Sequence, residues 1–390
     1  MQSSISRTID TRSTITRHRR AGVAVVAAAL SVAVVSGCSP DSGSTTAAAA
    51  AAAAECESAT PVTIMMGTSD MDISYSPYAL LANQLGYFAE ECIDATVTTT
   101  GGQTTTQQAL IGKAADITLQ TPDSLVVAAE KERLPIKMFY NLIPRSTYEI
   151  VSLPGGDVTS DKDLAGAVIG LPALTDSLKA YVTARLKDAG IPTDGVQFIA
   201  TGYGGTSMEA LKSGQIDAFV GWPGLWAAYR NSGYEMSVLP EPSWQTDYYG
   251  MGMGALDSYI DENPEIIEGV SRALAKSSVF LSENPTQAIE LFWDEFPARG
   301  PLPGEDKQKS QDQTMAVLES TMKLMDIGTA PADQQWGKQT EERWKSQVQY
   351  NIDAGLVTKD LDPNLFFTNE FNEAANDFDR APIIEQADAQ

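Results

Sequence analysis

Val62-Thr63-Ile64-Met65-Met66 is a short apolar run of the kind a buried strand requires. Working outward, Tyr78 to Glu91 reads as a helix, with Leu81, Leu85 and Phe88 at helical spacing. Ala95 to Thr100 is β-prone, Thr104 to Gly112 reads as a second helix, and Asp116-Ile117-Thr118-Leu119 as a short strand. This βαβαβ order implies a parallel sheet with right-handed crossovers.

The pattern then restarts. Ala167 to Leu171, Val196 to Ala200 and Ile216 to Val220 read as strands, with helices over Asp176 to Ala189 and Ser207 to Ser213. That is a second α/β lobe. From about Asn263 the chain reads as mainly helical: Pro264 to Glu283, Pro285 to Phe296, Ser310 to Met325 and Ala332 to Ala354. These helices are expected to pack on the first lobe. Gly250-Met251-Gly252-Met253-Gly254 lacks the following helix of a dinucleotide fingerprint and is read as flexible backbone in or near a returning segment. The expected division is residues 61–152 plus 247–390 for the first lobe and 153–246 for the second.

The amino-terminal end reads as targeting sequence. Five arginines, from Arg7 to Arg20, precede an apolar run from Ala21 to Val35, too short for a comfortable membrane span. Val35-Ser36-Gly37-Cys38 resembles a bacterial lipobox, which makes Cys38 the expected lipidation site and 1–37 a signal peptide. Residues 38–60, with an unbroken alanine run, are expected to be the linker. The location that follows is extracytoplasmic, lipid-anchored to the outer face of the cell membrane.

The formal charge of −24 includes the basic leader, so the remainder lies near −28. That argues against nucleic acid as a partner, which needs a basic face. His18, the one histidine, lies in the leader. The exported part therefore has no Ser-His-Asp or Cys-His catalysis and no histidine metal site. Cys56 and Cys92 each precede a strand of the first lobe. If those strands are parallel neighbours a bridge is geometrically reasonable; two free thiols is the alternative.

Five segments in order resemble a known family. They are Gln84 to Glu91, Gln108 to Ile117, Thr159 to Gly170, Met208 to Phe219, and Asn263-Pro264-Glu265. Together they resemble the type II solute-binding proteins of the nitrate, sulfonate and thiamine-pyrimidine-precursor group. One departure is Cys92, where that signature usually has glycine. The resemblance implies two α/β lobes joined by two strands that close on a small molecule. It also implies ABC permease and ATPase subunits as partners, a monomer, and no cofactor. Asp116 and Asp217, which follow helix–Gly turns, are read as structural turn residues.

In open α/β sheets a ligand lies beyond the carboxyl ends of the strands, where helix amino-termini gather. The residues expected there are Thr68, Ser69, Asp70 and Tyr75, then Thr121 and Asp123. On the second lobe they are Thr175, Ser177, Tyr203, Gly204 and Trp222, and on the return crossing Trp244 and Asp247. Trp226 and Tyr229 are read as core. These loops are rich in rings and hydroxyls and contain no arginine; Arg145 and Lys179 are the nearest basic residues. Such a lining suits a flat, neutral or weakly cationic heterocycle. The resemblance makes a pyrimidine the natural guess, with a sulfonate, taurine or nitrate-type anion as the alternative. Asp70, Asp123, Asp176 and Asp247 have no spacing signature for acid–base work, and no metal motif is present. An enzyme is therefore not expected. The competing class is a pyrimidine-synthase-like enzyme, which the resemblance ties to an active-site histidine.

Overall fold

Strand β1 (Thr60–Met66) buries Val62, Ile64 and Met66 on one face, the alternation of a half-covered strand. It pairs in parallel with β2 (Ile93–Thr99) on one side and β3 (Ile117–Gln120) on the other. A computed structural model describes residues 56, 58–174, 176–328 and 334–389. Among them the first sheet runs in the order β2, β1, β3, β10 (Met251–Leu256), β4 (Ile136–Ile143). The second runs β7 (Gln197–Ala200), β6 (Val168–Leu171), β8 (Ala218–Gly221), β5 (Glu149–Ser152), β9 (Ser237–Val238).

The sheets are mixed and not wholly parallel. β10 is antiparallel to both its neighbours, and β5 is antiparallel to β8. Each of these strands enters its sheet from the other lobe, at the end where the parallel strands finish, so it runs back against them. The strand at 149–152 lies in the second sheet, so the outward crossing falls before it and not after residue 152. Among the described residues, the segments that cross between the sheets are 144–148, from β4 to β5, and 239–250, from β9 to β10.

The glycine-rich run read as flexible backbone is β10, at the interior of the first sheet. Its glycines are needed for close approach: a Cβ on Gly252 would lie 2.3 Å from Met138 Sδ and 2.5 Å from the Tyr140 carbonyl oxygen. The stretch from Tyr78 to Glu91 is broken, not one helix. Gly86 at φ 83° separates Leu80–Gln84 from Tyr87–Glu90, because a left-handed residue ends one turn and redirects the chain. The last long helix starts at Glu341, capped by the Thr340 hydroxyl, and not near Ala332.

Asp116 and Asp217 play the same part in their two lobes. The Asp116 carboxylate accepts from the Thr63 amide (2.8 Å) and the Asp217 carboxylate from the Val168 amide (2.7 Å). Each closes the turn that delivers the next parallel strand.

The helices Pro264–Glu283 and Pro285–Glu295 pack on the first lobe through Leu274, Phe280 and Phe292, against Ile64, Leu81 and Met253. Helix Glu341–Asp353 covers the other face through Trp344, which stacks on Phe366 at 5.5 Å. Cys56 and Cys92 form a disulfide with Cα atoms 5.7 Å apart. It sits where β1 and β2 begin, next to the Thr60–Ile93 pair.

Candidate functional site

The carboxyl ends of β1 and β3 on one lobe, and of β6, β7 and β8 on the other, face a shared crevice. A pocket there is lined by Thr121, Asp123, Tyr148, Tyr248, Gln347 and Tyr350, among others. Asp123 is the buried acid of this pocket, 7% exposed, in the first turn of helix Pro122–Lys131. Its Oδ1 accepts from Gln347 Nε2 (2.7 Å) and Asn351 Nδ2 (3.3 Å), and Ser177 of the second lobe also hydrogen-bonds to it. Burial pushes the carboxyl up to about 7, against those three hydrogen bonds, which favour the ionised form. Thr121 Oγ1 and Gln347 Oε1 are buried and find no hydrogen-bond partner among the described residues. The pocket therefore offers an acid and two polar atoms to whatever enters it.

Aromatic rings surround the acid. Tyr248 and Tyr350 lie 4.9 Å apart, and both contact Trp244, at 5.4 and 6.3 Å. Tyr181 joins Tyr148 to Trp244. A second patch pairs Tyr203 with Trp222 edge-on at 6.4 Å, with Tyr75 within electrostatic reach of Tyr203. Tyr148 feels both patches, since Asp123, Tyr75 and Tyr203 all raise its phenol after the larger effect of burial. Burial also pushes the Tyr75 phenol up to about 12. These hydroxyls therefore stay protonated at neutral pH.

The sequence-expected residues divide into groups. Thr121, Asp123 and Ser177 meet in the pocket. Tyr75, Tyr203 and Trp222 form the second patch, where Thr68 hydrogen-bonds Tyr75. Trp244 packs against the core of the second lobe as well as on the tyrosines. Gly204 is an anchor: its amide donates to the Tyr229 hydroxyl at 2.8 Å. Ser69, Asp70 and Asp247 are exposed. Asp70 pairs with Arg299, outside the pocket. Thr175 and Cys38 lie outside the described residues. Trp226 and Tyr229 are buried in the second lobe.

Sequence reasoning missed Gln347, Tyr350 and Asn351. They lie more than 220 residues beyond Asp123, on a helix whose only visible periodicity marks its packed face. It also missed Tyr148, on the outward crossing. Among the described residues no group of three His, Cys, Asp or Glu side chains is placed to hold a metal ion.

A family model described as NMT1/THI5 like matches residues 75–288, more than half of the chain. The chain belongs to the NMT1/THI5-like family. Two curated relatives are similar over most of this NMT1/THI5-like protein. One is the formylaminopyrimidine-binding protein of Halalkalibacterium halodurans, 22% identical, covering 71% of this chain and 80% of its own. The other is the riboflavin-binding protein RibY of Chloroflexus aurantiacus, 24% identical, covering 77% and 83%. Among solved structures, the periplasmic aliphatic sulphonate binding protein SsuA of Escherichia coli superposes with a TM-score of 0.59 at 14% identity, covering 78% of this chain and 91% of its own. The NMT1/THI5-like chain thus has the two-lobed periplasmic-binding fold.

Proposed function

We propose that this protein is the extracytoplasmic solute-binding subunit of an ABC importer and that it grips a small aromatic heterocycle bearing N–H donors, such as a pyrimidine. The observation that carries this reading is Asp123: a buried carboxylate between Tyr148, Tyr248 and Tyr350 is matched by a flat ring that donates hydrogen bonds to it. Thr121, Ser177 and Gln347 complete the polar set, and Tyr75, Tyr203 and Trp222 close over the ring from the crevice mouth. Both curated relatives are named for heterocyclic ligands, which supports the class.

An oxyanion fits this pocket less well, because Asp123 repels it whenever it is ionised and Arg145 is held by Asp326 at 2.6 Å. The protein acts by capture and release, without breaking a bond. No histidine follows His18 in the sequence, so the acid–base residue of the enzyme reading has no counterpart. The lobes close on the ligand, and the closed monomer docks on a permease pair driven by an ATPase. Residues 1–37 are removed on export and Cys38 carries the lipid, so Cys38→Ser releases the protein from the membrane.

The test is thermal denaturation of the exported protein with pyrimidines, flavins, sulfonates and nitrate. A ligand bound by the native state alone raises the melting temperature by mass action. Stabilisation by an amino-substituted pyrimidine or another N–H-bearing ring, lost in Asp123→Asn, is the expected result. Stabilisation by sulfonates or nitrate alone overturns the proposal.

A further inference from the structure

Helix Glu341–Asp353 does more than cover the first sheet. Trp344 and Val348 face the core, and Trp344 Nε1 is tied to Gln339 Oε1, whose amide in turn donates to the Met138 carbonyl of β4. The helix is thus fixed to the first lobe. Arg343 turns the other way, to the crossing segments. Its Nη2 donates to the Pro144 carbonyl on the outward crossing and to the Tyr248 carbonyl on the return, each at 2.5 Å. Its guanidinium carbon sits 4.0 Å over the Tyr249 ring. The hydroxyl of Tyr249 accepts from the Thr340 amide at 2.7 Å, at the start of the same helix.

The crossings are also tied to each other. The Ser146 amide donates to the Gln245 carbonyl, and the Gln245 side-chain amide donates back to the Ser146 and Tyr148 carbonyls. The Gly250 amide donates to the Ile143 carbonyl. One and two turns beyond Arg343, the helix places Gln347 and Asn351 on Asp123. One rigid element therefore holds the pocket acid at one point and both crossings at another.

We infer that Arg343 is a positioning residue that fixes the angle between the lobes, and that its helix makes the hinge and the pocket acid parts of one body. The importance attached to that acid rests on the solute-binding reading above; the hinge role does not. A guanidinium can serve two carbonyls from one nitrogen while lying flat on a ring, and an ammonium on a shorter reach cannot do all three. A charge-assisted bond to each crossing removes freedom that a two-segment hinge otherwise has.

The test needs no ligand. Amide hydrogen exchange is followed in the native protein, Arg343→Lys and Arg343→Met. In Arg343→Lys the Ser146 and Gly250 amides exchange about tenfold faster, the loss expected for one charge-assisted hydrogen bond. The Trp344 amide, bonded to the Thr340 carbonyl, keeps its native rate. The radius of gyration in solution increases as the lobes separate. Arg343→Met shows the same pattern more strongly, and if it fails to fold Arg343→Lys decides. Unchanged exchange at Ser146 and Gly250, or an equal rise at all three amides, overturns the inference. Either result leaves the solute-binding reading standing, because that reading is tested by ligand stabilisation alone.

Discussion

Asp123 of the first lobe and Ser177 of the second are joined by a hydrogen bond across the crevice. The carboxyl that receives it is pushed by burial from its ordinary 3.8 up to about 7. Between those values the folded protein keeps a proton that the unfolded chain has released. The stability contributed by this group is therefore complete below about 4 and is lost as pH rises to about 7. Asp123→Asn keeps the shape and removes the titration. Melting temperatures between pH 4 and 8 should fall less with rising pH in that variant than in the native protein. Parallel curves for the two proteins would contradict the assignment.

The Cys56–Cys92 bridge closes a loop between residues 36 apart in sequence. In the chain-entropy account such a loop contributes about 4 kcal/mol. Replacing both cysteines by serine should lower the denaturation midpoint accordingly. Adding reductant to the native protein should produce a similar drop, and the double variant should not respond to it.

Gly252 has no room for a methyl group. Its nearest obstacles are the Met138 sulfur and the Tyr140 carbonyl, and the second is backbone that cannot step aside. Gly252→Ala should cost about 1–3 kcal/mol by overpacking the first sheet. Gly101→Ala, where a Cβ meets nothing within 4 Å, is the control and should change stability by less than about 0.5 kcal/mol. Urea denaturation of the two variants checks both numbers.

The lobes also touch away from the pocket. Asn231 Nδ2, at the end of helix Pro223–Asn231, donates to the Gln313 carbonyl at 2.7 Å, and Gln313 Nε2 donates back to the Asn231 carbonyl at 3.4 Å. Asn231→Ala removes the shorter bond. It should shift the ligand-free protein toward a more open form, seen as a larger radius of gyration, and weaken ligand binding about two- to tenfold. A change in affinity with no change in size would place the effect elsewhere.

Much of the fold could be read from short apolar runs. β1, β2 and β3, and β6, β7 and β8, fall where the sequence places strands, because each is flanked by a helix of different periodicity. β10 was hidden because its alternate residues are glycines: a strand whose side chains are missing on one face leaves no apolar pattern. The break at Gly86 was hidden because Leu81, Leu85 and Phe88 keep helical spacing across it. In the site, the loops after strands could be named in advance, and Thr121, Asp123 and Ser177 come together from them. The partners of Asp123 could not be named. Gln347 and Asn351 are polar residues on a long amphipathic helix, and nothing local distinguishes them from a solvated face. Asp70 shows the converse: a strand-end aspartate whose position suggested the crevice is spent on Arg299.

The placement of β10 has a consequence for biogenesis. Among the described residues, the five strands of the second sheet lie within residues 149–238, so synthesis supplies that sheet in one uninterrupted stretch. The first lobe is different: β4 joins its sheet only through a strand synthesised after the entire second lobe. Until then β3 and β4 are open edges facing an unfilled slot. The half of the molecule that begins first is therefore the half that finishes folding last.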